Sequence, residues 1–279
     1  MATESNNENK NNSNNDRPFR LLGVWAHPDD ESYLSAGLMA RISDAGGEVT
    51  VLTATLGERG FPEDDPRPLS ELATFREAEM RDAMSICGVG DVRFMRWPDG
   101  AVGSIPEQLA VRRIAAVILD VQPDLIITFG PDGVTGHPDH VAISRATTAA
   151  WRSTGVGDLL YAATPTTWLD EYRDLHNSLG VWMTEEPEGT PPEHLADQLV
   201  LNDSELARKR MVLAAHESQT APLAQVMGEE VYREWYRKES FRVPSNAEIE
   251  ALPKFALPED DYLWSNAWVA LTRELATAA

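Results

Sequence analysis

Short apolar runs alternate along the chain with longer segments in which apolar residues recur every three to four positions. The short runs are rich in β-branched and large aliphatic residues, and they predict strands over 19–26, 49–56, 92–97, 124–130 and 158–164. The longer segments predict helices over 31–44, 69–88, 105–121 and 139–153. Strands that alternate with helices of this length predict right-handed βαβ units. We therefore expect a Rossmann-like, doubly wound α/β fold whose mainly parallel sheet is flanked by helices.

The alternation of strands and helices is less regular in the N-terminal segment and in the C-terminal third of the chain. Residues 1–17 are rich in asparagine, contain almost nothing to bury and lack the basic and apolar regions of a signal peptide, so they predict a disordered tail. Residues 18–279 contain no internal repeat and no convincing linker, and are expected to form one α/β domain. Within it, the acidic stretch 184–194 predicts an exposed loop, and 202–218 predicts a helix among irregular segments.

The charge of the chain narrows the range of partners. Forty-five acidic residues against 24 Lys and Arg give a formal net charge of −21 over 279 residues, which repels nucleic acid and anionic membrane surfaces. The chain contains no run of 18 apolar residues, so we expect no insertion into a membrane. We expect a cytoplasmic protein that acts on a small molecule, and leave open whether it forms a homo-oligomer. The single cysteine, Cys87, excludes an intrachain disulfide and is expected to be a small core residue.

Two clusters of histidine and aspartate follow predicted strands. "HPDDE" at 27–31 comes directly after the first strand, and "GPDGVTGHPDH" at 130–140 follows the fourth. Ligands of open α/β sheets bind beyond the carboxyl ends of the strands, so the fold should bring both clusters to one edge. Adjacent acids repel each other, and a bound cation is the simplest way to offset that repulsion.

The two clusters contain the groups that a hydrolytic metal site requires. Such a site needs about three protein ligands, usually His with a carboxylate, and an open position for water. It also needs a carboxylate as general base and a donor for the oxyanion. Asp29 and Asp30 leave the strand in different directions, so one can bind metal while the other addresses the water. His137 and His140 share a helical face, and Asp139 could orient either imidazole.

Together the motifs resemble those of the PIG-L or LmbE-like family, zinc-dependent N-deacetylases that act on N-acetylglucosaminyl compounds. The resemblance extends from about Arg20 to Gln219 and includes "TLGERG", "FREAEM", "WPDG" and "HESQ". It implies that a divalent metal is bound by His27, Asp30 and His140. Zinc is expected, although imidazole and carboxylate ligands also suit Fe²⁺ and Co²⁺.

The resemblance also assigns the catalytic groups. Asp29 matches the general base, and His137 matches the histidine that stabilises the oxyanion and protonates the leaving amine. Asp139 matches the carboxylate partner of His137. Some relatives carry a tyrosine two residues before this histidine to help hold the oxyanion. Thr135 stands there in this chain, so that contribution is missing or comes from elsewhere.

Three residues are implied to bind substrate. Arg76 in "FREAEM" and Asp99 in "WPDG" match positions that bind substrate hydroxyls or phosphate, and Glu58 in "LGERG" lies where a strand end would meet the pocket. Two of them have structural alternatives. Arg76 could pair with a neighbouring acid such as Glu79 on the helix surface, and Asp99 could serve as a turn residue in Pro-Asp-Gly.

The remaining histidines and acids are more ambiguous. Glu31 could ligate the metal or simply favour the first turn of a helix. His216 could line the pocket or cap a helix end. His176 and His194 are interpreted as structural loop residues. The eight tryptophans are expected to pack in the core and loops, because the acidic charge disfavours a base-stacking surface.

These features predict a metal-dependent hydrolase that removes the N-acetyl group from an N-acetylglucosamine-type sugar conjugate and releases acetate. An alternative is an amidase of the same family that acts on a thiol–sugar conjugate or on an antibiotic- or lipid-linked amide. A non-catalytic metal- or sugar-binding module is less favoured because it needs no base beside the water. A nucleotide-binding oxidoreductase is disfavoured because "HPDDE" stands where a glycine-rich phosphate loop would be.

Overall fold

A computed structural model describes residues 17–257, within which seven strands form one mixed sheet. The strands are β1 (Arg20–Trp25), β2 (Glu48–Thr53), β3 (Asp91–Phe94), β4 (Leu125–Phe129), β5 (Asp158–Ala162), β6 (Asp197–Val200) and β7 (Lys238–Arg242). The helices are α1 (Asp30–Leu34), α2 (Ala36–Asp44), α3 (Leu69–Cys87), α4 (Glu107–Val121), α5 (Gly133–Gly136), α6 (Pro138–Thr154), α7 (Thr166–Leu179), α8 (Asp203–Ala215), α9 (Glu217–Met227), α10 (Glu229–Trp235) and α11 (Asn246–Glu250). Short 3₁₀ turns lie at Val102–Ser104 and Pro192–His194.

The strand order places the two polar clusters beside each other. It runs β3-β2-β1-β4-β5-β7-β6, with β1 to β5 pairing in parallel and β7 antiparallel to both β5 and β6. The predicted mainly parallel α/β fold is therefore confirmed. The order reverses between β1 and β4, which are direct neighbours, and a crevice opens at such a reversal beyond the carboxyl ends of the strands.

The five predicted strands and the predicted helices are present, with boundaries that differ by a few residues. Apolar side chains explain the agreement: in β1, the residues from Leu21 to Trp25 are all buried. Helix α3 ends at Gly88, whose φ of 78° suits glycine. The predicted helix 31–44 is divided at Ser35, where φ is −151°. Strands β6 and β7 were not predicted, because their sequences, "DQLV" and "KESFR", lack a long apolar run.

Other expectations have mixed outcomes. His176 was wrongly interpreted as a loop residue: it lies on α7 and is fully buried. Cys87 is in the core as predicted, and burial raises the pKa of its thiol to about 12. Residues 1–16 and 258–279 lie outside the described residues, so the predicted tail and the full extent of the predicted domain stay predictions. Between residues 17 and 257, no helix is long and apolar enough to cross a membrane.

A buried ion pair attaches β7 to the helices that follow β1. Lys209 on α8 donates to Glu239 on β7 at 2.7 Å and to the carbonyl of Tyr33 at 2.6 Å, and both charged side chains are fully buried. Glu239 also accepts the backbone N–H groups of Gly37 and Leu38 at 2.7 and 2.9 Å, at the start of α2. The Glu239 carboxylate therefore joins α2 and α8 to β7.

We expect Lys209→Met to lower the free energy of unfolding by about 3–5 kcal/mol, because it leaves the Glu239 carboxylate buried without its cation. Urea denaturation followed by circular dichroism measures the change. The double variant Lys209→Met/Glu239→Gln removes both charges and should recover part of the loss. A change below about 1 kcal/mol in the single variant would contradict a buried and mutually dependent pair.

Candidate active site

The two histidine–aspartate clusters meet in a cavity of about 520 Å³ beyond the carboxyl ends of β1 and β4. His27, Asp29 and Asp30 reach it from the turn between β1 and α1, and His137 and His140 reach it from the start of α6. Its size is typical of pockets that enclose a small-molecule ligand. The expectation that the fold would unite both clusters thus agrees with the structure.

Donor atoms of three residues lie close together in this cavity. His27 Nδ1 lies 3.1 Å from His140 Nε2, Asp30 Oδ1 lies 3.2 Å from His140 Nε2, and Asp30 Oδ2 lies 3.6 Å from His27 Nδ1. Ligands about 2.0–2.2 Å from a tetrahedral zinc are roughly 3.3–3.5 Å from one another. The spacing of these donors is compatible with an ion of the size of zinc.

His140 and Asp30 are each fixed by a backbone contact at one polar atom, which leaves the other polar atom available to a cation. His140 Nδ1 lies 2.9 Å from the carbonyl oxygen of Gly133, which puts the ring proton on Nδ1 and leaves Nε2 with a lone pair. Gly133 has a φ of 66°, and a Cβ there would lie 2.9 Å from the His140 Cβ, so this approach requires glycine. Asp30 Oδ2 accepts the backbone N–H groups of Ala26 and His27 at 3.2 and 2.7 Å.

Charge around His27 also favours a cation. Its Nε2 lies 3.2 Å from Asp99 and 3.4 Å from Asp139, while Asp30 faces its other nitrogen. Burial alone would lower the pKa of His27, but hydrogen bonds to Asp139 and Asp99 and the charge of Asp30 outweigh it and raise the pKa to about 10. The protein thus stabilises positive charge at this point. A metal ion would supply that charge while Nε2–H still donates to the carboxylates.

Asp29 lies beside the three converging donors but faces a different partner. Its Oδ2 is 3.2 Å from the guanidinium of Arg76, and Arg76 also donates to the carbonyls of Pro28 and Gly57. Burial raises the pKa of the Asp29 carboxyl, Arg76 opposes that effect and Asp30 adds to it, with a net rise. A carboxylate with a raised pKa that lies next to the ligand set is suited to accept a proton from water.

The backbone of Asp29 is strained and is held by a buried network. Its φ of 121° is unusual for a residue other than glycine. Glu31 Oε2 accepts the Asp29 N–H at 3.2 Å, and Glu31 Oε1 contacts Ser32 at 2.6 Å and His216 Nε2 at 3.2 Å. Glu31 and His216 are fully buried. Glu31 therefore supports the turn that presents Asp29, and His216 neither lines the cavity nor makes a side-chain cap of α9.

His137 is arranged as a hydrogen-bond donor. Its Nδ1 accepts the backbone N–H of Asp139 at 3.1 Å, which leaves the proton of the neutral ring on Nε2. Burial and the neighbouring His27 and His140 lower the pKa of His137, so the ring is neutral near pH 7. The ring nitrogens of the three histidines lie within 4.8 Å of one another. His137 is thus beside the ligand set, where a neutral imidazole can donate to a carbonyl oxygen.

Asp139 occupies a different position from the one the family resemblance implied. Its carboxylate accepts the backbone N–H groups of Gly100 and Val102 at 2.8 and 3.0 Å and contacts His27, whereas only its backbone N–H reaches His137. Burial favours its neutral form, but the contacts with His27 and these N–H donors outweigh burial and lower its pKa. In the structure Asp139 therefore orients a predicted metal ligand.

Two of the three predicted substrate residues line the cavity, and the third does not. Arg76 lines the cavity with a side chain that is 2% exposed, and it contacts Asp29 as well as Glu79, whose oxygen lies 3.7 Å away. Asp99 lines the cavity and accepts the Arg59 N–H at 2.8 Å. Glu58 accepts the Asp99 N–H at 3.0 Å and is not among the lining residues, so it supports the Asp99 turn from behind.

Some lining residues carried no signal in the sequence. Trp168, Trp182 and Trp235 border the cavity, although tryptophans in this chain were expected to serve only as packing residues. Nothing in their local sequence separates a cavity wall from a core, because both require large apolar side chains. Thr135 also lines the cavity.

Comparisons with known proteins agree with this arrangement. The family model described as "GlcNAc-PI de-N-acetylase", PIG-L, matches residues 22–151. A 1D-myo-inositol 2-acetamido-2-deoxy-α-D-glucopyranoside deacetylase of Corynebacterium diphtheriae is 30% identical over 224 residues, which cover 72% of this chain and 76% of that protein. An enzyme of the same name from Kineococcus radiotolerans is 38% identical over 164 residues, but the match spans only 45% of its length.

Solved structures share the fold. The N,N′-diacetylchitobiose deacetylase of Pyrococcus horikoshii superposes with a TM-score of 0.57 at 18% identity, covering 87% of this chain and 88% of that one. At this identity the likeness concerns the fold alone. The match to the C. diphtheriae enzyme extends over most of both sequences, and the family model covers the segment that holds both clusters. The chain belongs to the PIG-L family of de-N-acetylases.

Proposed function

We propose that this protein is a metal-dependent N-deacetylase that removes the acetyl group from an N-acetylglucosamine-type sugar conjugate. One observation carries the proposal: donor atoms of His27, Asp30 and His140 lie 3.1–3.6 Å apart, with one Asp30 oxygen facing each histidine, next to a separate carboxylate and a neutral imidazole. A metal-binding module needs only the donors. The names of the relatives, which are deacetylases of an acetamido-glucopyranoside, support the substrate class.

His27 through Nδ1, His140 through Nε2 and the Asp30 carboxylate would hold the metal, which we propose to be zinc or a similar divalent ion such as Fe²⁺ or Co²⁺. Such an ion lowers the pKa of a bound water and polarises a carbonyl group. Asp99 and Asp139 fix the orientation of His27 through its Nε2, and the carbonyl of Gly133 fixes His140. These contacts keep both rings in the tautomer that binds metal.

Asp29 accepts a proton from the attacking water. Arg76 contacts one of its oxygens, and the Glu31 carboxylate holds its backbone N–H, so the carboxylate keeps one orientation. Negative charge then develops on the acetamide oxygen, and the Nε2–H of His137 donates to it. The proton held by Asp29 is available to the departing amine, in place of the proton from His137 that the family resemblance implied, because the single proton of the neutral His137 ring donates to the oxyanion. The products are acetate and a free amino sugar.

Acetate and amine release from acetamido sugars tests this proposal. We expect the purified protein to release one amine per acetate from N-acetylglucosamine glycosides, to lose the activity on treatment with a chelator and to regain it with a divalent metal. Cysteinyl thiol–sugar conjugates and longer N-acyl groups, assayed in parallel, separate the amidase alternatives. Bound metal near one per chain without amine release from any of these compounds would favour a non-catalytic binding module and contradict the proposal.

A further inference from the structure

The walls of the cavity differ on the two sides of the converging donors. On the side of β2 and β3 the lining includes Arg59, Arg76 and Asp99, which are charged. On the side of β5 and β7 it includes the indoles of Trp168 and Trp235 together with Lys238, Glu239 and Ser240 of β7. The sheet order explains this separation, since β1 and β4, which carry the two clusters, lie between the pairs β3-β2 and β5-β7. A ligand that spans the centre therefore meets charged side chains without indoles at one end, and at the other end indoles beside the polar residues of β7.

The aromatic wall is built as one unit. Trp168 and Trp235 have ring centroids 5.4 Å apart, and the Trp168 indole N–H donates to the Trp235 carbonyl at 2.9 Å. Trp235 donates through its indole N–H to the buried His176 at 2.9 Å, and His176 contacts Trp182 with a centroid distance of 5.0 Å. These contacts hold three indoles in fixed positions, so the wall is already formed without a ligand.

This wall reaches the catalytic groups at two points. Tyr33, three residues after Asp30, packs against Trp235 with a centroid distance of 5.9 Å and lines the cavity. At the other end, the N–H of Met183 donates to the carbonyl of Thr135 at 2.9 Å, which ties the segment of Trp182 to the chain just before His137. The wall is therefore connected to both segments that carry the converging donors and His137.

We infer that the substrate carries an aromatic or alkyl group beside the acetamido sugar, and that Trp168, Trp182 and Trp235 bind this group. The inference rests on the proposed function and specifies its substrate class. Inositol, which the names of the bacterial relatives include, is a polyol and would leave this wall in contact with hydroxyl groups. The apolar group belongs either to the aglycone or to the N-acyl substituent, and both present the same chemistry to the indoles.

A set of four synthetic sugars separates these sources. The methyl glycoside of N-acetylglucosamine is the reference, and the benzyl glycoside places a phenyl group on the aglycone. The methyl glycoside with an N-phenylacetyl group places the phenyl on the acyl side, and the inositol glycoside tests a polar aglycone. Burial of a phenyl group should raise kcat/KM of the matching compound roughly 10- to 100-fold over the reference. A gain below two-fold for both phenyl compounds would overturn the inference.

Variants of Trp182 test whether the aromatic wall causes the preference for phenyl compounds. The indole N–H of Trp182 has no hydrogen-bond partner among the described residues, so Trp182→Phe should keep most of the preference for the phenyl compound. Trp182→Ala should lower the ratio of kcat/KM between phenyl and methyl compounds at least five-fold. Trp151→Phe, on α6 and outside the cavity lining, is the matched control and should leave this ratio unchanged. An unchanged ratio in Trp182→Ala would overturn the assignment of the wall.

The same assays distinguish the two proposals. Amine release from the methyl and inositol glycosides without a gain for either phenyl compound overturns only the inference about the aromatic wall. No amine release from any of the four sugars overturns the proposed deacetylase function, together with the inference that rests on it. The comparison among substrates uses the unmodified protein, so it decides the inference even where Trp182→Ala fails to fold.

Discussion

Asp29→Asn is expected to lower kcat/KM by about 10²–10⁴-fold while the content of bound metal stays near one per chain. Asparagine has the same shape but cannot accept the proton of the attacking water. It also tolerates a positive φ better than most residues, so the strained turn at φ 121° should persist. Kinetics of amine release and metal analysis of the same sample measure both quantities.

Asp64→Asn is the matched control, because it makes the same chemical change at an exposed position outside the cavity lining. It should leave kcat/KM and metal content unchanged. A loss of bound metal in Asp29→Asn equal to its loss of activity would mean that Asp29 is a ligand. Near-normal activity with full metal content would mean that another group accepts the proton.

His140→Ala is expected to lower metal affinity strongly, because it removes a proposed metal ligand. Loss of an outer hydrogen-bond partner of a ligand lowers affinity by about 10- to 100-fold, and the effect of His140→Ala should exceed this. Activity at limiting metal should fall below detection. The ring also stacks on Phe129 at a centroid distance of 4.2 Å, so circular dichroism must verify that the variant is folded. Equilibrium dialysis against zinc measures the affinity.

Two further variants give a control and an intermediate case for the measured metal affinity. His194→Ala changes an exposed histidine in a 3₁₀ turn outside the cavity lining and should bind metal normally. Asp139→Asn weakens the support of His27 and should fall between His194→Ala and His140→Ala. Metal affinity of folded His140→Ala equal to that of His194→Ala would remove His140 from the ligand set.

The sheet and the location of the site could be predicted because they depend on patterns that local sequence contains. Apolar runs mark β1 to β5, and the polar groups after β1 and β4 meet because parallel strands end at the same edge. Strands β6 and β7 lack that signal. Glu239 is buried in β7 although it is charged, since Lys209 and two backbone N–H groups from distant parts of the chain satisfy it.

The partners of the site residues were harder to predict. Spacing alone suggested that Asp29 and Asp30 diverge, but not which of them faces the histidines. The family resemblance favoured Asp30, and in the structure the Asp30 oxygens lie 3.2 Å from His140 and 3.6 Å from His27. The carboxylate of Asp139 was expected at His137 and lies at His27 instead, because the turn after β3 brings the N–H groups of Gly100 and Val102 to it. Such contacts depend on how loops pack over the sheet.

Other contacts could not be predicted because they join segments that are far apart in the sequence. His216 meets Ser32 across 184 residues of sequence, and no periodic pattern links the two. The hydrogen bond from the Asp29 N–H to Glu31 depends on the positive φ of Asp29, and local propensity does not predict that φ. The aromatic wall combines α7, the segment after it and the end of α10, so it becomes visible only once the fold is known.

Anomalous diffraction at the zinc edge from crystals of the zinc-loaded protein tests the central claim most directly. The account predicts one strong anomalous peak in bonding contact with His27 Nδ1, the Asp30 carboxylate and His140 Nε2, with Asp29 and His137 adjacent but not ligating. A peak between Asp99 and Asp139 with His140 uninvolved would contradict it. So would the lack of any peak in this cavity when metal analysis of the same crystals gives one zinc per chain.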